Sequence, residues 1–271
     1  MASSDGLNVC CNEAQSAFGF LYFLYWILSF LLSDTLLAKP LRLLATAVHE
    51  MSHAAVCWLT GGRVMKLAVY ENTAGVTYYR GGCQCLIAPA GYLGEAWVGM
   101  LLTICSGGRR TSTAAAVSVI VALALTLCYS PNRLLVYLCL FYIALLVVLI
   151  FLEWYVVTPI LFFCTLLFGV FLGVCSVGDI GNHLICHSRP GSDAYAAYEE
   201  TGRCCPPRCI GVMWLLLAIA MQVFGVILAL ALMSEECYDK SWWQCVFHTR
   251  FDVWDDWDWW PDDWDLFEHA K

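Results

Sequence analysis

Apolar runs about as long as a bilayer-spanning helix recur along this chain and constrain its fold more than any other feature. They occupy residues 17–37, 85–105, 114–129, 134–152, 154–174 and 210–233. A hydrocarbon core about 30 Å thick takes about 20 residues of helix, and lipid offers no water to satisfy an open backbone. Only helices or closed barrels can therefore cross it, and the alternation of about ten residues that marks a barrel strand is absent here. The runs predict an all-α polytopic membrane protein of six to seven transmembrane helices. Residues 134–174, broken by Glu153 and Pro159, read either as two spans or as one long kinked helix.

Composition agrees. Hydrophobic residues make up 61% and charged residues 13%, with a mean hydropathy of +0.69, against about 45–50% and 25% in soluble domains. The sequence divides into a short polar N-terminus (1–16), a membrane domain (17–233) and an acidic tail (234–271). A net charge of -8 argues against nucleic acid as a partner. Most of the 16 cysteines sit singly inside apolar runs, as small buried hydrophobes rather than a disulfide framework.

Within this apolar background, residues 45–59 read ATAVHEMSHAAVCWL. On a helix, His49 and His53 stand one above the other and can offer two imidazoles to one metal ion, with Glu50 beside them. Two neutral imidazoles, a third protein ligand and one open position for water make a catalytic zinc site. A glutamate next to such a site is placed to act as general base on that water. Ionisable groups inside a membrane segment are costly and mark functional sites. Lys39-Pro40 precedes this helix and Gly61-Gly62 follows it, as start and stop signals.

Residues 64–70 and 75–79 are β-rich and joined by Glu71-Asn72-Thr73-Ala74, which predicts a short hairpin. Such a hairpin reads either as a connecting loop or as an edge that pairs with an unwound substrate segment. Gly75, Gly81 and Gly82 in and after it allow close backbone approach. Glu95 lies within the next span as a partner of a metal-bound histidine, a proton relay or a boundary residue, the last being the simplest reading.

Later in the chain, Asp179, His183 and His187 are spaced four apart and share a face if the segment is helical. Each is a candidate for the missing third ligand, or a solvated polar residue at the membrane boundary. Cys204, Cys205 and Cys209, beside Arg203 and Arg208, read as juxtamembrane acylation sites rather than a zinc knuckle. The tail holds seven of the 12 tryptophans and half of the 22 acidic residues, and reads as a peptide that docks on a cationic groove of a protein partner.

The stretches ATAVHEMSHAAVCWLTGGRV, VYENTAGVTYYRGG, APAGYLGEAWVGM and SVGDIGNHLI, in this order, resemble the site-2 protease class of intramembrane zinc metalloproteases. They are most similar to its peptidase-like branch of plants, fungi and protists, over most of residues 40–233. The resemblance implies Zn2+ held by His49, His53 and Asp179, with Glu50 as general base and a membrane-spanning protein as substrate. Asp179 stands here in the context Gly178-Asp179-Ile180, which departs from the family's usual surroundings of the late ligand and leaves His183 as the alternative. Outside that class, a non-proteolytic membrane scaffold or a metal or proton transporter would also use an intramembrane polar cluster.

Overall fold

The structure is a computed structural model and describes residues 13–156, 160–187 and 191–236. Eight helices and one hairpin follow in the order α1 (Glu13–Leu32), α2 (Lys39–Leu59), β1 (Arg63–Val69), β2 (Gly75–Arg80), α3 (Gln84–Cys105), α4 (Arg109–Tyr129), α5 (Arg133–Tyr155), α6 (Ile160–Asp179), α7 (Asp193–Glu200) and α8 (Pro207–Glu236). A π-helical segment, Ile180–Cys186, prolongs α6. Six of these helices are long and apolar enough to cross a bilayer, counting α6 together with its π-helical extension. The chain is thus a multi-pass helical membrane protein with one antiparallel hairpin, as its apolar runs predict. Most of the polar N-terminus and nearly all of the acidic tail lie outside the described residues.

The ambiguity over residues 134–174 resolves into two helices, and the reason is polar. The Arg109 guanidinium donates to the Glu153 carbonyl at 2.8 Å, and the Glu153 carboxylate accepts the Leu161 N–H at 3.1 Å. That carboxylate satisfies one of the backbone donors a helix start leaves open, so α6 begins afresh beside the end of α5. Stacking of Arg109 on Trp154, 4.2 Å from the ring, closes the same corner.

Helix α2 starts with Pro40 in its first turn, where the missing N–H costs nothing. It ends in a Schellman arrangement: Gly61 N–H donates to Trp58 O and Gly62 N–H to Cys57 O, with Gly61 at φ +79°. The chain then turns back as β1 and β2, in register from Arg63 opposite Arg80 to Val69 opposite Gly75, with a bulge between Val64 and Lys66. Thr46 donates to Thr73 O at 3.1 Å, so the hairpin tip lies on the flank of α2.

Three buried clusters organise the bundle. Leu43, Leu44 and Ala47 of α2 pack with Leu138 and Leu146 of α5 and Phe168 and Leu172 of α6. Ala88, Tyr92 and Ala96 of α3 pack with Ile180, Leu184, Ala194, Ala197, Ile210 and Trp214, which seats α7 between α3 and α8. Phe18 of α1 meets Phe162, Leu166 and Ala229. Helices α3 and α6 cross closely, since a Cβ on Gly99 would lie 2.8 Å from Gly169 O. Small residues at a crossing are how membrane helices gain packing contact without a hydrophobic driving force. Outward-facing Phe23, Phe141, Phe224 and Ile227 are exposed, as lipid-facing side chains are.

Candidate metal centre

Helix α2 places His49 and His53 one turn apart, their Nε2 atoms 3.1 Å from each other. The other ring nitrogen of His53, Nδ1, lies 2.7 Å from Ile87 O on α3 and donates to it. That bond fixes the tautomer and leaves the Nε2 lone pair for a ligand role. Around His49, the Tyr92 ring packs edge-on at 4.4 Å and Glu95 Oε2 lies 3.8 Å from Nδ1. Glu95 is only 2% exposed, with Oε1 lacking any hydrogen-bond partner, so it faces the site rather than the membrane boundary.

The third donor comes from α7. Asp193 Oδ2 lies 3.2 Å from His49 Nε2 and 3.4 Å from His53 Nε2. Burial raises the pKa of the Asp193 carboxyl, and the two imidazoles beside it outweigh that effect and hold it well below the usual carboxylate range. Asp179, the late ligand that the sequence resemblance implies, is turned elsewhere: its Oδ1 pairs with the Arg42 guanidinium at 3.0 Å. The alternative His183 and the third member of that spacing, His187, are both exposed. Their segment is π-helical, with His187 N–H bonded back five residues to Asn182 O. The wider turn breaks the four-residue stacking an α-helix would have produced.

Asp193 was not legible as a candidate ligand, since it lies in a polar stretch that reads as a loop. The signals were Ser192-Asp193 at a helix start and Ala194 and Ala197 at a spacing of three, enough for a short helix with one apolar face.

His49, His53 and Asp193 form a three-donor set whose ligand atoms lie within 4.8 Å of one another. Four ligands about 2.0–2.1 Å from a zinc ion in a tetrahedron stand about 3.3–3.4 Å apart. The three separations observed fit that spacing, and two imidazoles with one carboxylate fit the donor chemistry of a catalytic zinc. Gly91 opens the space: a Cβ there would collide with Nε2 of both histidines.

Glu50, adjacent to His49, is 7% exposed and meets the hairpin. Thr77 Oγ1 lies 2.6 Å from Glu50 Oε2 and 3.0 Å from its carbonyl oxygen. The outer side of β1 is met by Asn132, whose Nδ2 donates to Val69 O at 2.6 Å. Among the described residues the sheet has two strands, so the other edge of β2 pairs with none.

A membrane bundle with a His-Glu-x-x-His helix, a carboxylate closing the donor set and an apposed hairpin defines a membrane metallopeptidase class. The chain belongs to the Peptidase M50B-like family, whose profile matches residues 22–225. Comparison with curated proteins and with solved structures returns no match.

Proposed function

We propose that the protein is an intramembrane zinc endopeptidase that hydrolyses a peptide bond in a membrane-spanning substrate. The observation that carries this reading is the convergence of His49, His53 and Asp193 beside Glu50. His49 Nε2, His53 Nε2 and Asp193 Oδ2 would hold the ion. When bound, zinc supplies Lewis acidity, acidifying a water and polarising a carbonyl. Glu50 takes the proton of the attacking water and returns it to the leaving amide nitrogen. His53 is held in its ligating tautomer by Ile87 O, and His49 faces Glu95 through its other nitrogen.

A helical amide is shielded by its own hydrogen bonds, so the substrate must unwind before attack. The unpaired edge of β2 offers it a strand to pair with, and β2 touches the helix that carries Glu50. The test is cleavage of a single-span reporter protein by purified enzyme in liposomes. Glu50→Gln is expected to lower kcat by about 100-fold or more, the scale of general-base catalysis. Cleavage at the wild-type rate in that variant would overturn the hydrolase reading.

A further inference from the structure

Side chains on β2 alternate between its faces, so Gly75, Thr77 and Tyr79 share one face. That face lies on α2, and both of its first two positions meet Glu50. Thr77 Oγ1 is 2.6 Å from Oε2, a short bond of the kind a hydroxyl donates to an ionised carboxylate. At Gly75, a Cβ would stand 2.5 Å from Oε1 and 2.6 Å from Cγ of Glu50. The carboxylate therefore occupies a slot that a glycine leaves open and a hydroxyl closes. The slot's position along α2 is marked one turn earlier on the same helix, where the Thr46 hydroxyl is shared between Arg42 O at 3.0 Å and Thr73 O at 3.1 Å. Helix α2 from Thr46 to Glu50 and the hairpin from Thr73 to Thr77 thus run alongside each other, tied at both ends.

From this geometry we infer that Thr77 is a positioning residue for Glu50, with Gly75 as the gap that admits its side chain, and that the hairpin sets the orientation of the base. The inference rests on Glu50 being the general base. The edge of β2 on which a substrate would pair and the face that holds the base belong to one strand. A substrate segment that straightens or shifts β2 thereby moves the carboxylate, and the base is brought into register only when the hairpin is in place. No other polar side chain bonds the Glu50 carboxylate among the described residues.

The experiment compares wild type, Thr77→Val and Thr77→Ser, full-length and zinc-loaded, on a single-span reporter in liposomes. Valine keeps the shape and removes the donor. Thr77→Val is expected to lower kcat by about 10- to 100-fold, the scale on which a misplaced catalytic group costs rate, with KM and zinc content unchanged. Thr77→Ser is expected to recover most of the loss. A Thr77→Val kcat within about twofold of wild type, or a Thr77→Ser loss as deep as that of valine, would overturn the inference, since general acid–base effects are far larger.

Backbone amide exchange gives a second readout that needs no turnover. Thr77→Val and Glu50→Ala are each expected to speed exchange of residues 75–79, and the double variant no further than either alone. Additive effects would overturn the inference. If wild type leaves the reporter uncut, the hydrolase reading is what fails, and the exchange measurement alone decides whether Thr77 holds Glu50.

Discussion

At the scale of single residues, each imidazole turns Nε2 toward Asp193 and Nδ1 away from it. His53 is oriented by a backbone carbonyl, and His49 has Glu95 facing its Nδ1. A carboxylate behind a ligating imidazole orients the ring and raises its basicity, and loss of such a partner costs about 10–100-fold in metal affinity. Glu95→Gln is therefore expected to weaken zinc binding by about that factor, read by competition with a chelator of known affinity. An unchanged affinity would show that Glu95 is buried for another reason. His49, Glu50 and His53 were legible in the sequence because their relation is local, fixed by four residues of helix. The carboxylate was not, because Asp179 and Asp193 differ in tertiary placement rather than in any local pattern. Arg42, on α2 itself, draws Asp179 aside, and the apolar face of α7 brings Asp193 in.

At the scale of elements, α2, the hairpin, α3 and α7 are each placed by features of different visibility. The stop of α2 at Gly61-Gly62 could be read directly, because a left-handed residue is needed there and glycine supplies it. Gly61→Ala is expected to cost about 1–2 kcal/mol, visible as a lower unfolding temperature in detergent, and an unshifted transition would mean that the cap contributes nothing. Helix α3 could be read as a span, but not its role as the wall of the site. Gly91→Ala puts a methyl group against both imidazoles and is expected to abolish zinc binding while the far-ultraviolet helical signal stays as in wild type. Zinc retained at the wild-type level would show that α3 can draw back. The hairpin was visible in its β-branched alternation, whereas its pairing with the flank of α2 depends on Thr46–Thr73 and Glu50–Thr77, contacts across about 27 residues that no local period announces. The π-helical end of α6 was invisible for the opposite reason: its spacing of four looks α-helical.

At the scale of the whole molecule, α8 links the two ends of the bundle. Ile210 and Trp214 near its start pack beside Tyr92 and α7, close to the metal centre, while Leu230 near its end accepts a hydrogen bond from Gln15 at the start of α1. Its predominantly apolar stretch of 26 residues is long enough to cross the bilayer. In sealed vesicles, Cys209 and a cysteine introduced at Glu236, each in a chain otherwise cleared of reactive cysteines, are expected to react with a membrane-impermeant maleimide from opposite sides. Labelling of both from one side would contradict the placement of α8 as a span. The number of spans was legible from hydropathy to within one, and the Arg109–Glu153 corner that decides it is a tertiary contact. The central claim for the molecule is that α2 and α7, packed against these spans, bring His49, His53 and Asp193 together as one metal centre. Elemental analysis of the detergent-purified protein tests it most directly, comparing wild type, Asp193→Ala and Asp179→Ala. About one zinc per chain, as a three-ligand catalytic site would hold, is expected in wild type and in Asp179→Ala, and near-background zinc in Asp193→Ala. Zinc kept in Asp193→Ala and lost in Asp179→Ala would contradict the account.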